Sequence, residues 1–303
     1  MQGRTPQIVA LGGGGFSIER DSSLLDDYVL SLTEAERPRV CFLPTASGDA
    51  DHYVVRFYRR FAATCDASHV SLFRRDQGTG GVEDDLASHL LAQDLVYVGG
   101  GNVVSMLGAW RAHGLDDVLR EAWRRGIVLC GPSAGSLCWF DEALSAFHGT
   151  PRGVRGLGLL PYSNCVHYDA EPTRRAEYHR FVGDGMRPGF AAEDGVALHF
   201  RSTRLQRAVS SRVDGRAYRV ERTGDGVVET RLEVTHLGPV GPAEAPHASA
   251  QAEPAKAADR AAPAGESPHE PPKSHRPRRR GARRAAAAAK AERLPVSPEP
   301  LPA

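Results

Sequence analysis

The pentad G-P-S-A-G at positions 131–135 contains the side chain best suited to chemistry in this chain, Ser133. An apolar run precedes it and the segment S-L-C-W-F follows it, which predicts a strand, a sharp turn and a helix. A G-x-S-x-G sequence in that setting is typical of a nucleophile elbow, which presents the serine hydroxyl above the edge of a sheet. The flanking glycines permit the strained backbone of such a turn. We therefore predict that Ser133 is the nucleophile of a serine hydrolase, with a plain strand-to-helix turn as the alternative.

A serine hydroxyl is a poor nucleophile unless a base takes its proton. The candidate base is His167, in the segment C-V-H-Y-D at 165–169. The remaining histidines of the folded part fall in or beside predicted helices and strands, where a surface or structural role is the simpler interpretation. The sequence alone leaves this choice among histidines open.

An acid is needed to orient the imidazole and to stabilise its charged form. Asp194 directly precedes the predicted strand 196–200 and is the favoured candidate. Asp169 is only two residues from His167, so its carboxylate shares the direction of the ring without necessarily reaching it. Glu193 is the third candidate, and the sequence does not decide among these acids.

Two converging N–H donors are needed to hold the oxyanion of acyl transfer. The N–H of Ala134 is the first, because it follows the serine at the start of the predicted helix. The run G-G-G-N at 99–102, at the end of a predicted strand, is the expected source of the second. Neither this run nor the glycine run 12–15 matches a phosphate-binding pattern.

The composition is that of a soluble globular protein, with 41% apolar and 25% charged residues among 303. Five cysteines without a C-x-x-C pair predict reduced thiols in a cytoplasmic protein rather than a disulfide framework. The N-terminus lacks the apolar core of a signal peptide, and no apolar run is long enough to span a bilayer, so we expect no membrane contact. Without H-E-x-x-H or a Cys/His cluster, we expect no metal and no cofactor.

The pattern along the chain predicts an α/β catalytic domain over 1–238 and a disordered tail, rich in Ala, Pro and Arg, over 239–303. An arginine cluster at 276–284 is the one feature suited to nucleic acid, although a solvated tail is the favoured interpretation. The sequence leaves open whether the chain forms a homodimer.

Alternating apolar runs and amphipathic segments predict a doubly wound, mostly parallel sheet with helices on both faces. The predicted strands are 7–11, 40–43, 70–73, 95–98 and 127–130, and the predicted helices are 24–32, 53–63, 82–91, 103–113 and 115–124. Segments 218–221 and 231–237 are expected to form a terminal antiparallel pair around the turn Asp225-Gly226.

Four segments, in this order, resemble the peptidase E family of serine peptidases: L-G-G-G-G-F at 11–16, G-G-G-N at 99–102, G-P-S-A-G at 131–135 and H-Y-D at 167–169. The resemblance covers about residues 5–237. It implies the fold of class I glutamine amidotransferases and a cytosolic enzyme acting on small peptides through an acyl-enzyme. Members studied as aspartyl dipeptidases hydrolyse peptides with an N-terminal aspartate.

By this resemblance Ser133 is the nucleophile, His167 the base and Asp194 the acid. Gly100 and Gly101, with Ala134, would hold the oxyanion. Asn102 and Arg174 are the expected substrate-binding residues, with Arg175 as the competitor of Arg174 for the aspartate side chain, since a guanidinium fork matches a carboxylate.

The chain departs from the family pattern at Val103, where the family often has threonine, and in its basic tail. Two other functions stay open from the sequence. One is an amidase or a peptidase of other specificity on the same fold. The other is a non-catalytic binding module whose tail contacts nucleic acid.

Overall fold

The computed structural model of the chain describes residues 4–19, 23–73, 86–147 and 149–238. The predicted tail, 239–303, lies outside the described residues, so the domain boundary at 238 stays a prediction.

The strands of the described residues are β1 (Gln7–Leu11), β2 (Arg39–Leu43), β3 (Asp66–His69), β4 (Leu95–Val98), β5 (Val128–Pro132), β6 (Phe140–Ser145), β7 (Arg152–Arg155), β8 (Leu160–Cys165), β9 (Gly189–Ala192), β10 (Val196–Arg201), β11 (Arg204–Ser210), β12 (Ala217–Thr223), β13 (Gly226–Arg231) and β14 (Val234–His236). The helices are α1 (Leu24–Ser31), α2 (Asp51–Phe61), α3 (Leu86–Leu91), α4 (Val103–Ala112), α5 (Leu115–Arg124), α6 (Ala134–Leu137) and α7 (Arg174–Gly183).

The larger sheet has the strand order β14-β11-β10-β1-β5-β4-β2-β3 in the described part of the chain. Strands β1 to β5 run parallel to one another, and β10 joins β1 antiparallel. Since β5 lies between β1 and β4, the loops after these three strands meet at one edge of the sheet. Such an edge is where open α/β sheets build their sites.

Helices cover both faces of this sheet, as the sequence predicts. Side chains alternate along β1, so that Ile8 and Ala10 join one buried cluster while Val9 and Leu11 join another. The first cluster takes in the apolar faces of α4 and α5, and the second those of α1 and α2. A sheet covered on both sides explains why its central strands are nearly all apolar.

The smaller sheet has the strand order β13-β12-β9-β8-β6-β7 among the described residues. Helix α7 packs against β12 and β13, around a core that includes Cys165, Tyr178 and Tyr218. The sheet matters for the site because its strand β8 leads directly into His167.

Two predictions about strands are wrong. The strand predicted at 70–73 lies earlier, at Asp66–His69, where it pairs with β2 alone at the sheet edge. An edge strand needs less apolar character than a central one. The apolar residues Val70 and Leu72 lie in the loop after β3, and their side chains are buried there.

The terminal antiparallel pair exists, but with a different second strand. Strand β12 pairs with β13, at Gly226–Arg231, because the short turn at Gly224-Asp225 brings the immediately following residues alongside. The segment expected there forms β14, which crosses to the larger sheet and pairs parallel to β11.

Candidate active site

Ser133 stands between β5 and α6 with a backbone that serine rarely adopts, at φ 55° and ψ −117°. The turn is held from both sides. The Ser133 N–H donates to the Leu11 carbonyl over 3.3 Å, and the Ser133 carbonyl accepts from the N–H groups of Ser136 and Leu137 at 2.9 Å. A side chain at Gly131 or at Gly135 would collide with the Val98 carbonyl. The elbow therefore requires glycine on both sides of the serine.

His167 also has a left-handed backbone, at φ 53°, directly beyond β8. Its N–H donates to the Gly12 carbonyl over 3.2 Å, which ties it to the loop after β1. Its Nδ1 lies 2.6 Å from Oδ1 of Asp194, in the turn between β9 and β10. A carboxylate at this nitrogen favours the tautomer with the proton on Nδ1, which leaves Nε2 as the basic nitrogen.

The other two candidate acids have different partners. The Glu193 carboxylate accepts from the N–H of Arg216 over 3.0 Å, and burial raises the pKa of Glu193. Asp169 accepts from the Asp194 N–H over 2.9 Å and pairs with Arg212 over 2.7 Å. Burial alone raises the pKa of Asp169, but these hydrogen bonds outweigh it and hold that pKa below the ordinary value.

Arg212 is a residue of the site that sequence reasoning missed. Its Nη1 bridges the Asp169 carboxylate and the Asp194 carbonyl, the latter over 3.1 Å. Arg212 and Asp169 thus hold the main chain of Asp194 in place, at its carbonyl and its N–H respectively. No local pattern reveals this role, because the residue comes from the loop beyond β11.

Gly13, in the glycine run 12–15, lies beside the imidazole of His167. A Cβ at Gly13 would overlap Oδ1 of Asp194 and lie 3.0 Å from Cε1 of His167. The absence of a side chain at Gly13 therefore lets His167 and Asp194 approach the loop after β1.

Ala134 and Gly100 lie next to the serine, and Gly101 continues the same loop. Ala134 begins α6, so helix geometry leaves its N–H without an intrahelical acceptor. A Cβ at Gly100 would lie 3.3 Å from Cβ and 3.9 Å from Oγ of Ser133. The Gly100 N–H donates to the Tyr53 hydroxyl over 3.2 Å. Gly101 has φ 138° and packs tightly against the Ala46 carbonyl.

The side chains predicted to bind substrate form hydrogen bonds or ion pairs with other residues of the protein. The Asn102 side-chain oxygen caps α4, where it accepts from the N–H groups of Val104 and Ser105 at 3.0 and 3.1 Å. Arg174 is buried at the start of α7 and pairs with Glu171 over 2.8 Å. Arg175 pairs with Glu229, whose carboxylate also accepts from Tyr168 and contacts His179.

A cavity of about 230 Å³ opens beside the serine and the histidine. Its lining residues are Gly13, Gly14, Ser17, Ile18, His52, Tyr53, Arg56, Gly100, Pro132, Ser133 and His167. Three of them, His52, Tyr53 and Arg56, come from the first turns of α2, and Arg174 is not among the lining residues. From the sequence His52 is predicted to be a surface residue, and no local pattern singles out Arg56 or places α2 over this loop.

The thiols nearest to the elbow in sequence are unsuited to nucleophilic attack. Cys130 and Cys138 are free and buried, and burial raises the pKa of each well above its ordinary value. Burial likewise raises the pKa of Cys41 and of Cys165 to about 12.

In the ranges that the structure describes, no group of three or more His, Cys, Asp or Glu side chains is arranged to hold a metal ion. Nor does any helix in the described part combine the length and apolar character that crossing a bilayer requires.

Known proteins resemble this chain in sequence and in fold. A Bacillus subtilis protein named uncharacterized peptidase YgaJ is 45% identical over 234 residues, which are 77% of this chain and 99% of that protein. Peptidase E of Streptomyces coelicolor is 29% identical over 181 residues, which are 55% of this chain and 69% of that protein.

Among solved structures, a peptidase from an acI-B1 actinobacterium has the same fold, with a TM-score of 0.57 at 16% identity. The match covers 76% of this chain and 95% of that one. The model of peptidase family S51 matches residues 8–208, which hold the elbow, His167 and Asp194. The chain therefore belongs to peptidase family S51.

Proposed function

We propose that this protein is a serine peptidase that hydrolyses short peptides with an N-terminal aspartate. The observation that carries the proposal is the strained Ser133, which shares a cavity with His167, itself bonded to Asp194 at 2.6 Å. Strain of this kind concentrates at functional sites, because the surrounding fold must hold it in place. Membership of peptidase family S51 supports the same reaction class.

In the proposed reaction Nε2 of His167 takes the proton of Ser133 Oγ as the oxygen attacks the peptide carbonyl. Asp194 holds the imidazole in the required tautomer and stabilises its charged form. The imidazolium then gives its proton to the leaving amine, and the C–N bond breaks to leave an ester on Ser133. Water, activated by the same imidazole, hydrolyses this ester and frees the serine.

The oxyanion is assigned to the N–H of Ala134 together with the loop Gly100–Gly101. Support for Ala134 is its position at the start of α6, and support for Gly100 is its approach to Ser133. The Gly100 N–H is bonded to the Tyr53 hydroxyl, so its use requires exchange of that partner for the oxyanion. Main-chain donors aimed at the developing charge are the usual source of this stabilisation.

Recognition of the N-terminal aspartate is assigned to Arg174. The alternative residue, Arg175, forms an ion pair with Glu229. Arg174 forms an ion pair through Nη2 with Glu171, which is exposed. The Nε atom of Arg174 is buried without a hydrogen-bond partner. We expect Arg174→Ala to lose most of the preference for aspartate over leucine at the N-terminus, as measured with a dipeptide panel.

The decisive experiment combines chemical labelling with hydrolysis. A fluorophosphonate probe should label Ser133, and Ser133→Ala should lose both the labelling and the hydrolysis of Asp-Leu while its circular dichroism spectrum stays unchanged. Ser105→Ala, at an exposed serine on the neighbouring helix α4, is the matched control and should keep both. Full hydrolysis by Ser133→Ala would refute the proposal.

The same panel tests the alternative specificity, because cleavage of neutral or basic N-termini at equal rates would make the enzyme a general dipeptidase or amidase. We also propose a cytoplasmic location, because the five cysteines are free and buried, as expected for a protein in a reducing compartment.

A further inference from the structure

One wall of the cavity at Ser133 is formed by helix α2 rather than by the loops that carry the proposed reaction. Residues His52 and Arg56 are four apart on this helix, so they lie on one side of it, and both line the cavity with Ser133 and His167. We propose that Arg56, with His52 beside it, binds a carboxylate of the peptide substrate. This inference rests on the proposed function and identifies a feature of its substrate.

The guanidinium of Arg56 is held in place and retains donors for a ligand. Its Nη1 donates to the Ser17 carbonyl over 2.8 Å, which fixes the side chain against the turn that forms the next part of the wall. A guanidinium has five N–H donors, so most remain available. Within the described ranges no carboxylate forms an ion pair with Arg56, in contrast to Arg60 on the same helix, which pairs with Asp26 and Asp27.

The size of the cavity limits how far that carboxylate lies from the reacting bond. Sites for drug-sized ligands measure roughly 300–1,000 Å³, and this cavity, at about 230 Å³, is smaller. Arg56 and Ser133 line this one small cavity, so a ligand group held by Arg56 lies close to the serine. The carboxylate therefore belongs to a residue next to the scissile bond.

Two parts of a dipeptide meet this requirement, the side chain of an N-terminal aspartate and the free terminal carboxylate of the leaving residue. Both present the same group to the guanidinium, and substrates that carry one of them at a time separate the two sources. Asp-Leu carries both, Asp-Leu amide only the side-chain carboxylate, Asn-Leu only the terminal one, and Asn-Leu amide neither.

The test compares Arg56→Gln with Arg59→Gln, an exposed arginine three residues further along α2 that does not line the cavity. Affinities are measured by calorimetry on the full chain carrying Ser133→Ala, and KM for Asp-Leu on the chain with the serine intact. We expect Arg56→Gln to weaken Asp-Leu binding and to raise KM by about 10- to 100-fold, the range for a hydrogen bond to a charged group. Arg59→Gln should change neither.

The dipeptide analogues then assign the carboxylate. A loss confined to Asp-Leu and Asn-Leu identifies the terminal carboxylate. A loss confined to Asp-Leu and Asp-Leu amide identifies the aspartate side chain, and it would give Arg56 the role assigned above to Arg174. Unchanged affinity for all four ligands, or an equal loss that includes Asn-Leu amide, overturns the inference.

A further titration keeps the failure of this inference separate from a failure of the proposed function. Succinate carries the carboxylate without a peptide bond, so its binding to the Ser133→Ala chain does not depend on peptidase activity. Weaker succinate binding after Arg56→Gln supports the site even if no dipeptide is cleaved. Equal succinate binding with and without Arg56 contradicts the site even if Asp-Leu is hydrolysed.

Discussion

Asp26 should make the stability of this protein fall as the pH rises from about 4 to about 7. The side chain is fully buried in α1, close to Gly15, which follows the cavity-lining residues Gly13 and Gly14. Its Oδ1 accepts from the Tyr97 hydroxyl over 3.1 Å, and its Oδ2 lies 3.4 Å from Nε of Arg60. Burial raises the pKa of Asp26 from 3.8 to about 7, because the lost hydration outweighs the attraction of Arg60 and the hydrogen bonds.

The sign and size of the effect follow from this pKa. In the unfolded chain Asp26 releases its proton near pH 3.8, whereas in the folded chain it keeps the proton until about pH 7. Between these values the folded state binds more protons, so the free energy of unfolding falls with pH by about 1.4 kcal/mol per pH unit. The stabilising contribution is complete below pH 3.8, and about 4 kcal/mol of it is lost by pH 7.

Asp26→Asn removes the titration while keeping the shape of the side chain. We expect the stability of the variant relative to the natural chain to increase by about 4 kcal/mol between pH 4 and pH 8. Other titrating groups are common to both proteins and cancel in the difference. The measurement is urea unfolding followed by circular dichroism at half-unit pH steps.

The matched control is Asp27→Asn, because Asp27 is the exposed neighbour on α1 and also contacts Arg60. Because the Asp27 side chain is exposed, Asp27→Asn should not reproduce the rise expected for Asp26→Asn. A constant difference for Asp26→Asn would refute the reasoning, since it would mean that the buried carboxyl ionises at the same pH in the folded and unfolded chains.

Three further substitutions test the site and its support. Asp194→Asn should lower kcat for Asp-Leu by about 10⁴-fold with little change in KM, because an amide no longer favours the required tautomer of His167; an unchanged kcat would exclude this acid. Gly13→Ala places a Cβ against Asp194 and 3.0 Å from Cε1 of His167, so kcat should fall at least about tenfold, and wild-type turnover would contradict the tight approach. Phe42→Ala removes a buried ring stacked 4.9 Å from Phe57 and should cost about 3–5 kcal/mol in urea unfolding; a loss under 1 kcal/mol would show that the core refills the space.

Much of the parallel sheet was predictable from the sequence. Strands β1 and β4 and helix α5 have the predicted bounds, and β2, β5, α1, α2 and α4 differ from theirs by a few residues. A strand that is buried on both faces appears as a short apolar run. An amphipathic helix has a period of about 3.6 residues because its side chains face either the core or the solvent. The end of the predicted helix 82–91 is likewise present as α3, while 82–85 lie outside the described residues.

The strand errors occur where local pattern is weak. The edge strand β3 is polar, and β14 contains three residues, so neither carries a clear period. The short turn at Gly224-Asp225 pairs β12 with β13, the strand that follows the turn directly. The later strand β14 is therefore left to pair with β11.

The sequence by itself determined the elbow, because Gly131 and Gly135 beside Ser133 are a local requirement of the backbone. Only the tertiary structure brought Asp194 to His167 and the Asp169–Arg212 clamp behind it, across separations that no spacing rule spans. It alone also placed Arg56 in the cavity. The physical reason is that a turn depends on the conformational freedom of its own residues, whereas a site between elements depends on how two sheets and a helix pack.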